Sequence, residues 1–313
     1  MAIWHLGWQE EVPAAVRGSL VSIGNFDGVH LGHQQLLRRL LAHARRRDVP
    51  ATAITFDPHP LTLLRPQPPE PLLTSPAERA RRILALGLDH VVVLQSEWSL
   101  LQLEAEQFLG EVIAARFAAR GLVEGPTFTF GRGRRGTTEL LVRWCVRHGL
   151  LADVVPPVIR DGEIVSSSRI RRALLAGDVT SARRWLGRPY AVSGRIGSGA
   201  GRGRGLGFPT ANLENVPTLL PADGVYAGVV CWGGQRYPAA VHIGPNPTFD
   251  TPQRKLEVFV LGFSGELYGA QLTVQFLQRL REVQRFSSAE ALRQQITRDV
   301  ELVQAVFRTE TTT

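Results

Sequence analysis

Lysine is nearly missing from this chain: Lys255 is the only one among 36 basic residues, so almost every positive charge is an arginine. Cysteine is scarce too. Cys145 and Cys231 stand alone, form no CxxC and imply no disulfide framework, which fits a reducing cytoplasm. Long apolar runs are absent; none reaches the roughly 18 residues that a membrane span needs. The opening Met1-Ala2-Ile3-Trp4-His5-Leu6 shows no basic stretch followed by an apolar one, so a secretory leader is not expected. The expectation is a cytoplasmic protein with no membrane partner, a monomer or weak homo-oligomer. The net charge of +8 and pI of about 10.5 suit an anion-binding surface, although an arginine-rich coding bias would give the same balance. No basic stripe interleaved with aromatics and no recognisable reading motif is present, so nucleic acid is not expected as a partner. The arginine clusters Arg45-Arg46-Arg47 and Arg79, Arg81, Arg82 fall on helical patterns and read as solvated faces.

What is present is enough chain, 313 residues at 44% hydrophobic, for two cores and hence two domains. Residues 1–186 alternate apolar runs with helical patterns. Strands are expected near Leu20–Ile23, Ala51–Phe56 and His90–Leu94. Helices are expected after Leu36, from Ser75-Pro76 to about Leu86, and over Gln107–Phe117. That alternation predicts an α/β fold with a parallel sheet, whose ligands bind at the carboxyl ends of the strands. Beyond a break at Gly187-Arg188-Pro189 the pattern changes. Short β-rich runs recur at Tyr190–Ile196, Gly224–Trp232, Tyr237–Ile243, Leu256–Phe263 and Gln271–Leu280, then a capped helix comes after Ser287-Ser288-Ala289-Glu290. Residues 187–313 are therefore expected to form an antiparallel sheet or small barrel with a C-terminal helix.

The most informative stretch runs from Val21 to Leu36. A short strand stops at Gly24, and Asn25-Phe26-Asp27-Gly28-Val29 leads to His30-Leu31-Gly32-His33 at the start of a helix. Helix N-termini offer unpaired N–H groups and a partial positive charge, which suits phosphate, and imidazoles three residues apart can face one anion. Zinc would need further ligands, and no Cys or acidic cluster adjoins the pair. Two other segments suit an anion. Thr127-Phe128-Thr129-Phe130 breaks into Gly131-Arg132-Gly133-Arg134-Arg135, a loop that is otherwise an ordinary exposed turn. Ser166-Ser167-Ser168-Arg169-Ile170-Arg171 opens a helix, or simply caps one. In the second half, Gly199 to Gly207 holds five glycines in nine residues and runs straight into Phe208-Pro209-Thr210-Ala211-Asn212. Read alone, it is a linker or a phosphate-cradling loop. Thr210 and Asn212 alternate in register, so a hydroxyl and an amide can face one site.

The ten residues Gly24 to His33 resemble the H-x-G-H signature of nucleotidylyltransferases in the form found in bacterial bifunctional riboflavin kinase/FAD synthetases. Ser167 to Arg171 resembles the same group's I-S-S-T-x-I-R helix start, and the segment ending Gly205-Leu206-Gly207-Phe208-Pro209-Thr210-Ala211-Asn212 resembles the riboflavin kinase signature. The resemblance implies a Rossmann-like N-terminal domain that adenylylates FMN to FAD. It implies a C-terminal β-barrel that phosphorylates riboflavin to FMN. Both would use ATP with Mg2+. By the same resemblance His30, His33 and Arg169 serve adenylyl transfer. Gly24, Asn25, Phe26, Asp27, Gly28, Gly32, Ser167, Ser168, Arg171, Gly201, Arg202, Gly207 and Pro209 contact nucleotide phosphates. Thr127, Phe128, Phe130 and Arg281 face flavin, Arg281 with nucleotide as its alternative. Thr210 and Asn212 hold Mg2+ on the ATP phosphates, and Glu257 is the catalytic base for the ribityl 5′-hydroxyl. Four positions depart from the pattern. Thr127 replaces a common Asp or Asn, His242 replaces a frequent Asn, Phe259 replaces the usual His after Glu257-Val258, and Val283 stands where a Glu is common two residues after Arg281, though Glu282 is adjacent. A kinase with an impaired N-terminal site, or a non-catalytic flavin-nucleotide-binding protein, are the alternatives.

Overall fold

The computed structural model describes residues 1–64, 70–197, 207–246 and 251–312, without the side chains of 246, 251–253, 311 and 312. Contacts divide the chain into two compact units, Met1–Ser166 and Ser167–Thr313.

In the first unit, β1 (Ala2–Leu6), β2 (Leu20–Ile23), β3 (Ala51–Asp57), β4 (His90–Gln95), β5 (Gly121–Glu124) and β6 (Leu151–Val154) form one sheet in the order β1-β4-β3-β2-β5-β6. Every pairing is parallel. The strands alternate with period two, yet both faces are buried. Leu20, Ala53, Val91, Val93 and Val123 face one core, which α1 (Leu31–Arg47) and α3 (Pro76–Leu84) cover with Leu37, Leu40, Ala80 and Ile83. Val21, Ile54, Val92, Leu94 and Leu122 face the other. It is covered by α6 (Thr138–Arg147) and by a wide π-type turn over Phe108–Arg116, where an ordinary helix was expected. The short helices α2 (Pro60–Leu64), α4 (Trp98–Leu101) and α5 (Ala105–Gln107) lie in the connections, and after β6 a small antiparallel pair, β7 (Ile159–Arg160) with β8 (Glu163–Ile164), stands apart from the sheet. The chain leaves β2 towards β3 and leaves β5 towards β6, so the strand order reverses between β2 and β5. In an open parallel sheet, the crevice for ligands lies beyond the carboxyl ends at such a reversal.

The second unit begins with α7 (Ser167–Leu175) and α8 (Val179–Leu186), which pack against the remainder of that unit. Ala222 N–H donates to Leu174 O at 2.9 Å, and Arg183 is bidentate with Glu310. The rest is a closed antiparallel barrel. Its strands are β9 (Tyr190–Gly197), β10 (Ala211–Glu214), β11 (Gly224–Trp232), β12 (Gln235–Asn246), β13 (Thr251–Val260) and β14 (Gln271–Arg281), in the order β10-β13-β12-β11-β14-β9. Val241, Ile243, Leu256 and Val258 point inward and are buried, while the residues between them point outward. The C-terminal helix α9 (Ala289–Thr312) covers part of the outer face, with Val300, Val303 and Val306 against Ala227, Ala240 and Phe259. Strand β10, inside the segment read as a phosphate loop, is the one barrel strand the apolar pattern did not announce.

Candidate active sites

At the sheet reversal, the loop after β2 is held from several sides. Ile23 N–H donates to Glu124 Oε1 at 2.7 Å, joining β2 to β5 at their carboxyl ends. Glu124 is buried, and burial drives its carboxyl pKa well above the usual range, only partly opposed by that N–H. Phe26 (φ 47°), Gly28 (φ 81°) and Val29 (φ 40°) all adopt left-handed backbone, which is strained for the two that carry side chains. The Asp27 carboxylate supports this turn. It accepts from Leu73 N–H at 3.0 Å, from Thr74 N–H at 3.0 Å and from the Thr74 hydroxyl at 3.2 Å, while Gly28 N–H donates to Thr74 Oγ1. Asn25 O accepts from Arg79 Nη1 at 2.7 Å.

The turn delivers His30 as the N-cap of α1, with its Nδ1 accepting from His33 N–H at 3.3 Å. An accepting Nδ1 leaves Nε2 as the N–H donor of the neutral ring. The two imidazoles stack with centroids 3.6 Å apart, and Phe26 meets His33 edge-on. Gly32 makes room for this stack, since a Cβ there would lie 3.1 Å from His30 Cε1. His33 is held well below its ordinary pKa by burial first, then by His30 and Arg79. Its Nδ1 is buried with no hydrogen-bond partner among the described residues. Imidazole N–H groups at a helix N-terminus can bind an anion and stabilise phosphate negative charge as it builds up.

The other first-unit candidates divide. Thr127 is exposed just beyond β5, whereas Phe130 is buried and stacks with the half-buried Phe128 at 5.4 Å. A Cβ on Gly136 would strike the Phe130 ring at 2.6 Å, so this turn is packed tightly around a core aromatic. In the second unit, Ser167, Ser168, Arg169 and Arg171 open α7, and the Arg169 guanidinium lies 4.2 Å over the Trp185 ring.

The barrel builds its site from register. Directly opposed residues of an antiparallel pair share a face. Asn212 pairs with Glu257, Glu257 with His242, His242 with Val225, and Val225 with Arg281, forming one row across five strands. The row lies on the outer face beside the one that α9 covers. Glu257 and His242 are half-buried. Gly207 (φ 89°), Phe208, Pro209 and Thr210 lead into β10, and the Phe208 ring meets Phe259 edge-on at 5.5 Å. Gly201 and Arg202 lie outside the described residues. Arg281 makes a fork with Asp299 of α9, as close as 2.7 Å, and lies over the Phe286 ring.

Two family models match the chain, FAD synthetase over residues 12–169 and riboflavin kinase over residues 186–307. The bifunctional riboflavin kinase/FMN adenylyltransferase of Pseudomonas fluorescens is 38% identical over 93% of each chain, and that of Escherichia coli K12 is 34% identical over 91% of this chain and 92% of its own. This chain belongs to the bifunctional riboflavin kinase/FMN adenylyltransferases. A solved structure described as a macrolide-efflux protein from Streptococcus pneumoniae superposes with a TM-score of 0.86 at 32% identity, covering 96% of this chain and 98% of that one. Among the described residues here, no helix is long and apolar enough to cross a membrane.

Within this family frame one sequence reading is corrected. Arg79 is not on a solvated face; it is 1% exposed, donates to Asn25 O and Thr55 Oγ1, and faces Asp27 and Asp57. Of its neighbours in the cluster, Arg81 is exposed and Arg82 half-buried, both paired with Glu78. The available signal was that Arg79 precedes Ile83 by four residues and so shares its buried face. The Thr210 hydroxyl and the Asn212 amide carry hard oxygens, the kind that suits Mg2+. No group of three His, Cys, Asp or Glu side chains that could hold a metal ion is gathered among the described residues.

Proposed function

We propose that this protein phosphorylates riboflavin to FMN on its barrel and adenylylates FMN to FAD on its parallel-sheet domain, consuming ATP at both sites. The functional domains are assigned as residues 1–186 and 187–313. The observation that supports the reading is the coexistence of two separately built arrangements suited to phosphate: the stacked pair His30 and His33 on a helix N-terminus, and the row of Asn212 and Glu257 beside Thr210.

On the barrel, Glu257 takes the proton of the ribityl 5′-hydroxyl as its oxygen attacks the γ-phosphorus, and ADP departs. Thr210 and Asn212 would hold Mg2+, which when bound neutralises charge on the transferring phosphates. On the parallel-sheet domain, an FMN phosphate oxygen attacks the α-phosphorus of ATP and pyrophosphate leaves. His30 and His33 donate to the oxygens where charge accumulates, and the N–H groups opening α1 add their partial charge. The roles of Ser167, Ser168, Arg169 and Arg171 in holding the triphosphate rest on their motif. Thr127 offers a hydroxyl in place of a carboxylate or amide. Phe128 is the aromatic of that run most open to a flavin, since Phe130 is committed to the core. We place the protein in the cytoplasm, where its free thiols Cys145 and Cys231 would stay reduced, as a monomer or weak homo-oligomer.

The test separates the substrates. Purified protein given riboflavin, ATP and Mg2+ should yield FMN and then FAD; given FMN in place of riboflavin, it should release pyrophosphate and form FAD. FMN formation without FAD from either substrate would reduce the chain to a kinase and single out Thr127 as the damaged contact.

A further inference from the structure

His242 has no role in the chemistry so far, yet it is the only histidine beyond residue 148 and lies directly opposite Glu257 across β12 and β13. Its Nδ1 sits 3.8 Å from Glu257 Oε2 and is buried with no hydrogen-bond partner among the described residues. That gap is too long for a hydrogen bond, but catalytic hydrogen bonds often lengthen in ligand-free proteins and shorten once substrate is bound. The charged groups around the ring come from three further elements: Glu257 on β13, Arg281 on β14 and Asp223 ahead of β11. Arg281 is committed to Asp299, and Asp223 accepts from Arg254 Nε at 2.7 Å. Burial lowers the imidazole pKa, with Glu257 and Asp223 opposing and Arg281 adding to the effect. The ring is therefore neutral at pH 7, with one N–H to donate. Phe259, on the same outer face, packs against Phe208 and the cluster under α9 and so brings no second imidazole.

Resting on the assignment of Glu257 as the base, we propose that His242 is a positioning residue of the kinase site, whose Nδ1–H bonds one Glu257 oxygen in the ternary complex and turns the other towards the riboflavin hydroxyl. The hydroxyl proton passes to that second oxygen. The new O–P bond forms as the γ-phosphoryl bond to ADP breaks, and ADP leaves with the bonding pair. His242 keeps its proton throughout. An asparagine at this position would donate without titrating; the histidine adds an ionisation next to the base. Once protonated at lower pH, the ring carries a positive charge beside the base, so the acid limb of kcat carries the imidazole's ionisation.

The experiment records kcat and KM of the kinase against pH for the wild type, His242→Ala and His242→Asn, with Glu257→Gln beside them. His242→Ala should lower kcat about tenfold while both KM values stay within about twofold. His242→Asn, whose amide nitrogen sits near the Nδ1 position, should restore kcat to within about threefold. In both variants the acid limb should move by at least about half a pH unit. Wild-type kcat with an unmoved limb in His242→Ala would overturn the proposal. So would a His242→Asn enzyme as slow as the alanine variant with unchanged KM values. If His242→Ala fails to fold, the limb of His242→Asn decides: a shift supports the proposal and an unmoved limb overturns it. A Glu257→Gln enzyme that still forms FMN would instead remove the base on which the inference rests.

Discussion

The two sites proposed for an ATP phosphate chain have opposite construction. The first is made of backbone: a strained turn, a helix N-terminus and an imidazole that caps it, fixed from behind by Asp27 and Arg79. The second is made of register: strand pairing alone brings Asn212, Glu257 and His242 into line. A backbone-built site is vulnerable to changes behind it that never meet substrate. A register-built site is as rigid as the barrel, and its sensitive positions are the side chains of the row. The comparison is broken or sharpened by substitutions at matched places.

The largest effect is expected at Glu257. Glu257→Gln should reduce FMN formation about a thousandfold, as loss of a general base does, and leave FAD formation from supplied FMN unchanged in the same chromatographic assay. At the first site, His30→Asn keeps a good helix cap but removes the Nε2 donor. FAD formation should fall about a hundredfold with kinase activity intact. A smaller loss that spared FAD synthesis would move the anion contact elsewhere. Behind the site, Asp27→Ala strands the buried donors of Leu73 and Thr74 and should destabilise the first unit by about 2–4 kcal/mol in urea denaturation. FAD synthesis should suffer through the turn, and no barrel substitution away from the row should match it.

Gly32→Ala should act more gently, because its Cβ asks the His30 ring to give by only a few tenths of an ångström. FAD synthesis should drop about three- to tenfold.

The smallest effect is on stability and depends on pH. The folded pKa of Glu124 is raised, so the native state binds the extra proton above pH ~4.5 and loses stability as pH rises towards that raised pKa. His33, with its pKa lowered, acts oppositely: it favours unfolding as pH falls below about 6.5. Glu124→Gln keeps the acceptor for Ile23 N–H and removes the titration. It should raise the melting temperature by a few degrees at pH 8 and change it little at pH 5. An equal shift at both would mean that Glu124 is not the titrating group.

The placement of the motif residues was legible from sequence because it is local: His30, Gly32 and His33 span four positions at the start of one helix, and Phe208 to Asn212 is one continuous run. Three strands of the first unit, β2, β3 and β4, and five of six barrel strands also showed, since period and apolar runs are local; β1, β5 and β6 did not. What stayed hidden depends on distant partners. Arg79 looked like its solvated neighbours, since its partners Asn25 and Thr55 lie more than twenty residues away. Glu124 is buried only because β2 and β5 meet at the sheet reversal. The α7–α8 pair carries a phosphate motif but gathers its contacts with the barrel, so the compact units divide ahead of the composition break at Gly187. The alignment of His242 with Glu257 needs strand register, which no spacing between them reveals.

The central claim is that two independent sites act in sequence. The most direct measurement mixes the Glu257→Gln and His30→Asn proteins and tracks riboflavin to FAD by chromatography. Either variant alone should stop, the first at riboflavin and the second at FMN, while the mixture should complete the conversion. If each variant retained its own half-reaction but the mixture made no FAD, or if either substitution abolished both activities, the account of two separate sites would be contradicted.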